Sequence, residues 1–172
     1  MSYKKSKYNQ GVLTTRQLKN PAKYSGKLTE QIIFRSSWEY SFIKYLDNND
    51  SVIEWSSEEI SIHYKSIDGK MHRYFPDFFS SYRNKDGKMI TALIEIKPYA
   101  ETIEPKIPAN TKRTRKSILK QLETYKINQL KWQAAKKYCS EKAWKFYVLT
   151  EVDISLVPEE SLKHQLKETH NL

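Results

Sequence analysis

The chain has 172 residues, and its 30 Lys and Arg against 20 Asp and Glu give a formal net charge of +10. That length supports one domain with its own core, burying roughly 70% of its extended surface, and no apolar run approaches the ~20 residues that a membrane helix needs. The Met1-Ser2-Tyr3-Lys4-Lys5 start lacks the apolar stretch of a signal peptide, and a lone cysteine, Cys139, excludes an internal disulfide and fits a reducing compartment.

Taken in chain order, residues 1–29 hold seven Lys and Arg and no acid, with weak periodicity. They read as a basic N-terminal arm, mobile until bound or docked. A helix should open at the serine cap Ser36-Ser37, carry Trp38, Phe42, Tyr45 and Leu46 at helical spacing, and stop near Asn48-Asn49-Asp50. Val52 to Trp55 and the alternating Ile60 to Tyr64 read as strands, followed by a hairpin signal at Asp68-Gly69. Tyr74 to Phe79 reads as a third strand, with Pro76 marking an edge, a bulge or an end. After the turn at Asn84 to Gly87, residues 89–97 are the most strand-like run. Pro98 to Pro108 is a loop, a long amphipathic helix spans about 112–139, and Trp144 to Leu149 is a last strand. Pro158-Glu159-Glu160 opens a short C-terminal helix. The expected fold is α/β, a central mixed sheet flanked by helices. Residues 30–155 form the domain and 156–172 a helical tail.

Residues 110–137 repeat the charge bias of the arm, with nine Lys and Arg and the single acid Glu123. Clustered positive charge suits a polyanion, because each phosphate contact releases condensed counterions. The bland alternative is a merely lysine-rich protein.

Strand alternation sends Ile90, Ala92, Ile94 and Ile96 to one face and Leu93, Glu95 and Lys97 to the other. Counting back through the turn at Asp86-Gly87 brings Asp77 roughly opposite residues 95–97. Two carboxylates converging beside one lysine have a use in phosphodiester hydrolysis. Hard oxygens hold Mg²⁺, with Mn²⁺ a natural substitute, and the ion activates water and stabilises charge on phosphate. The lysine orients the water and stays protonated unless burial prevails. Without metal the carboxylates repel, so the empty site should be destabilising. Glu-x-Lys as an ordinary surface ion pair and Pro-Asp as an ordinary turn are the alternative.

Pro76-Asp77 followed by Glu95-Ile96-Lys97 resembles the signature of the PD-(D/E)XK, or restriction-endonuclease-like, nucleases. Their core order, α-β-β-β-α-β, matches the one read above. The resemblance implies that Asp77 and Glu95 bind metal and that Lys97 assists the water. It also implies that a carboxylate on the first helix, Glu39, joins them. Phe34-Arg35-Ser36-Ser37-Trp38-Glu39, Ile53 to Glu58, Arg73-Tyr74-Phe75, Ile94 to Pro98, Lys131 to Ala135 and Leu149-Thr150-Glu151 resemble the head completion nucleases of T-even-like phages. The TnsA-type transposon endonucleases are a more distant likeness. The expectation is a Mg²⁺-dependent endodeoxyribonuclease that holds DNA mainly through backbone phosphates and acts after packaging. Capsid or neck proteins are expected partners, with no membrane and no nucleotide cofactor. Its setting would be the host cytoplasm, with retention in the virion head a further expectation. The rival is a non-catalytic DNA-binding structural protein of the head or neck.

Arg73 and Tyr74, next to the site, and Lys112, Arg113, Arg115 and Lys116, after the loop that follows Lys97, are candidate phosphate contacts. Glu39 also reads as a plain carboxylate at a helix start. Glu54, Glu58 and Glu59 read as surface acids, Glu58 being the candidate exception. Gln133 either faces the site or packs on the helix surface. His63 and His72 lack partners at zinc spacing, and Cys139 reads as a packing residue. No Gly-rich phosphate loop and no Ser-His-Asp arrangement occurs.

Overall fold

A computed structural model describes residues 10–27, 31–106 and 112–155, the side chains of 112–114 and 155 excepted. The first helix, α1 (Ser37–Asn48), starts where Ser36 caps it: the serine oxygen accepts the Glu39 amide at 3.1 Å. Three strands follow in a meander that builds the central sheet, β3 (Val52–Ser57), β6 (Phe78–Arg83) and β7 (Met89–Ile96). The long helix α3 (Lys112–Glu141) crosses over to β8 (Lys145–Leu149), which lies parallel to β7. The sheet order β3-β6-β7-β8 is therefore mixed, as a helical crossover requires.

Alternation along β7 decides the two layers. Ala92, Ile94 and Ile96 pack with Phe42, Ile43 and Leu46 of α1. Leu93 points the other way, against Ala135 and Cys139 of α3. Leu93 is wholly buried, which contributes about 2 kcal/mol in apolar burial.

The expected strand over Tyr74 to Phe79 is two strands. Inserted between β3 and β6 is a separate hairpin of β4 (Ile62–Lys65) and β5 (Met71–Tyr74), and β5 ends at Tyr74. Phe75-Pro76-Asp77 then crosses to β6, with Pro76 buried. Proline has no amide to donate, so the ladder breaks there. The loop expected from Pro98 contains one turn of helix, α2 (Tyr99–Thr102).

Residues 10–27 are docked rather than free. Strand β1 (Gly11–Thr14) pairs with β2 (Gln31–Phe34). The buried Asp47 carboxylate, at the end of α1, accepts the Lys19 and Asn20 amides at 2.7 and 2.8 Å. Tyr24 then lies edge-on to Trp55, and the Ser25 amide donates to the Trp55 carbonyl at 2.9 Å. The segment escapes a periodicity search because backbone bonds to one carboxylate anchor it. Residues 1–9 and the C-terminal helix expected from Pro158 lie outside the described residues. No helix among the described residues is long and apolar enough to cross a membrane.

The end of α3 carries a misfit. Ala143 has φ 55°, while the Trp144 amide reaches back to the Cys139 carbonyl at 2.8 Å. That is the helix stop normally made with glycine. Ala143→Gly is expected to raise the melting temperature by about 1–2 °C, since relief of the left-handed strain slightly exceeds the added freedom of the unfolded chain. A thermal melt of the variant beside the parent checks the sign.

Candidate active site

The antiparallel pairing of β6 with β7 sets Phe78 opposite Ile94, which puts Asp77 level with Glu95. Asp77 Oδ2 accepts the Ile96 amide at 2.7 Å. This bond holds the carboxylate across the strand end, where the break at Pro76 has freed it from the ladder. Glu95 is 2% exposed. Its Oε2 accepts the Tyr74 hydroxyl at 2.7 Å and its Oε1 lies 3.0 Å from Lys97 Nζ. Lys97 continues the β7 line, its amide donating to the Leu149 carbonyl at 2.9 Å.

The electrostatics follow from burial and repulsion. Burial, and next the Glu95 charge, push the Asp77 carboxyl up to about 8, against the pull of Lys97 and the Ile96 amide. Burial pulls Lys97 down, but Glu95 and Asp77 outweigh it and hold the ammonium at about 12. Burial and then the Glu95 charge raise the Tyr74 phenol far above its ordinary value, so it remains a donor. Two hard carboxylates that repel at close range, beside a fixed ammonium, fit a divalent cation. Glu95 accepts one donor on each oxygen and keeps lone pairs on both.

The other expected residues divide. Glu39 sits in the first turn of α1, where its Oε2 accepts the Arg35 amide at 2.8 Å and its Oε1 the Ser36 hydroxyl at 2.9 Å. These bonds tie the Glu39 carboxylate to the start of its own helix. Glu39 still adds to the charge felt by Asp77, so it flanks the pair. Among the described residues no group of three His, Cys, Asp or Glu is arranged to hold a metal ion. Arg73 is exposed on β5, its guanidinium 5.9 Å from the Phe75 ring centre. Arg115 and Lys116 are exposed in the first turns of α3. Lys112 and Arg113 lie at its start, with side chains outside the described residues.

Glu54 is exposed, and Glu59 accepts the Lys27 amide at 3.0 Å. Glu58 binds the Arg35 guanidinium through both carboxylate oxygens. His72 bonds Asp68 in the hairpin turn at 2.9 Å, and His63 is exposed on β4. Burial raises the Cys139 thiol to about 11, which suits packing. Gln133 is exposed. The buried polar residue of α3 is Asn128, whose side-chain amide donates to Glu101 at 3.4 Å. Glu101 in turn adds to the field on Lys97.

Asn128 and Glu101 are absent from the sequence reading, and Tyr74, there a candidate to face phosphate, donates to Glu95 instead. A lone asparagine on an apolar helix face was the available signal for Asn128.

Comparison with known proteins agrees with this geometry. The chain is 38% identical over 135 residues to the head completion nuclease of Enterobacteria phage T4, covering 77% of this chain and 87% of that protein. Residues 49–151 match the family described as TnsA-like endonuclease N terminal. That span runs from the end of α1 into α4 (Glu151–Ser155). It takes in the meander, the crossover helix and the strand ends that hold Asp77, Glu95 and Lys97, and by it the chain belongs to the TnsA-like endonuclease family, restriction-endonuclease-like in fold.

Proposed function

We propose that this chain is a Mg²⁺-dependent DNA endonuclease acting in phage head completion. The convergence of Asp77, Glu95 and Lys97 on one strand end supports the reading. The fit of that donor set to a hard cation gives it a chemistry. The cation, when bound, supplies Lewis acidity and neutralises charge on the phosphodiester. Asp77 and Glu95 hold it, with Glu39 as flanking support. The Tyr74 hydroxyl fixes the rotamer of Glu95, so its carboxylate is aimed before substrate arrives. Lys97 Nζ, locked as an ammonium, orients water toward phosphorus and offsets charge building on the phosphate oxygens. Arg73 and the α3 start, Lys112, Arg113, Arg115 and Lys116, hold backbone phosphates, contacts that position DNA without reading its sequence. Contact with capsid or neck proteins belongs to the same proposal.

The test is supercoiled plasmid incubated with purified protein. Conversion to nicked or linear DNA is expected with Mg²⁺ or Mn²⁺ and none with chelator. Failure under every divalent ion would turn the reading to a structural head or neck protein. DNA affinity should fall steeply with salt. About six phosphate contacts give a log–log slope near −5, and a flat dependence would contradict backbone binding.

A further inference from the structure

Beside Glu39 and in the field of Asp77 stands a cation that the reaction above leaves unused. Arg35 precedes the Ser36 cap, and its amide is already bound to Glu39. Its guanidinium meets Glu58 side to side, Nη2 lying 3.1 Å from Oε2. The Glu58 amide, in turn, donates to the carbonyl of Asp77 at 3.1 Å. Glu58 has φ 54°, a left-handed backbone that non-glycine residues seldom adopt. A surface ion pair contributes little, so the pair does not repay that strain as stability. Strain of this kind, where it persists, clusters at functional sites.

The charge pattern says what it serves. Glu39, Glu58, Asp77 and Glu95 line this region, and a phosphodiester approaching them is repelled. Lys97 is committed to Glu95, with a side chain only 25% exposed. The Arg35 side chain is 52% exposed. The hydrogen bond that it donates to Glu58 does most to hold its proton, burial opposes this, and the fields of Glu58, Glu39 and Asp77 add to it. A guanidinium has five N–H donors. The Glu58 pair occupies two of them, so the rest of the fork stays open to a phosphate oxygen pair.

We propose that Arg35, held in place by Glu58, is a phosphate-binding residue of the nuclease site, taking a backbone phosphate of the DNA strand beside the one cut. This rests on the nuclease reading above. Glu58 is then a positioning residue, acting through Arg35.

The experiment compares the full-length parent with R35A, R35K and E58Q. It uses Mg²⁺-dependent plasmid nicking over a salt series, and fluorescence anisotropy of a short duplex in chelator over the same series. R35A should lower kcat/KM at least tenfold and make both salt slopes shallower by about 0.9, one phosphate contact. R35K should restore the slopes and not the full rate, since a point charge lacks the fork. E58Q should keep the slopes and lose less rate than R35A. Parental slopes in R35A overturn the proposal whatever its rate, and so does an E58Q loss equal to that of R35A. A parent that fails to nick overturns the nuclease reading instead, and anisotropy still tests Arg35. Thermal melts of all four proteins separate these outcomes from misfolding, and R35K keeps the test open should R35A fail to fold.

Discussion

Lys97→Ala and Glu95→Ala are each expected to lower plasmid nicking about 1000-fold or more while the protein stays folded. The magnitude follows from what each removes. A preorganised charged group acting on the reacting phosphate is worth two to three orders of magnitude or more. Lys97 Nζ lies 3.0 Å from Glu95 Oε1, so each alanine also leaves its partner misplaced, and the double variant should lose little more than either single one. Folding should survive because Ala92, Leu93, Ile94 and Ile96, which tie β7 to both helical layers, are untouched. Supercoiled-plasmid assays with circular dichroism of each variant decide the matter. Full nicking by both single variants would remove the site from this strand end.

Asp77→Asn should abolish nicking as well, yet stabilise the metal-free protein at pH 8. The Asp77 carboxyl sits at about 8 in the folded chain against 3.8 for the free group. The native state therefore keeps a proton that the unfolded chain has already released. Its contribution to stability is full below about pH 4 and is lost as pH rises toward 8. In chelator, the parent should melt roughly 10 °C lower at pH 8 than at pH 5 on this account, and Asp77→Asn should flatten the difference. Mg²⁺ should then raise the melting temperature of the parent at pH 8 and leave the variant nearly unmoved. Equal stabilisation of both by Mg²⁺ would mean that the ion binds elsewhere.

Most of the frame was legible in the chain because it rests on short-range rules. The Ser36 cap, the alternation of residues 89–97, the Asp86-Gly87 turn and the apolar face of the long helix each have one simple physical cause. The pairing of Asp77 with residues 95–97 followed from counting through a hairpin. What escaped was tertiary. Pro76 marks a break in Tyr74 to Phe79, but nothing local says that Tyr74 joins a different sheet from Phe78; the packing of the β4–β5 hairpin against α3 decides it. Tyr74 reads as a neighbour of the site that faces phosphate, and its partner Glu95, 2.7 Å from its hydroxyl, emerges only in the fold. Residues 10–27 read as an arm because few are apolar, and Asp47, which anchors them, gives no sign in sequence that it is buried. The bond of Arg35 to Glu58 joins residues 23 apart, and no spacing rule links them.

The docking of residues 10–27 has a consequence for crowding. Strand β3 lies at the border of the central sheet, paired with β6 on one side. Its outer side would offer bare amides and carbonyls to any strand of another copy. Tyr24 bridges to Trp55 there in parallel, with the Ser25 amide on the Trp55 carbonyl. The same basic stretch that suits a polyanion thus covers the β3 border at Trp55, and copies gathered along one DNA molecule would meet with that point of the border taken.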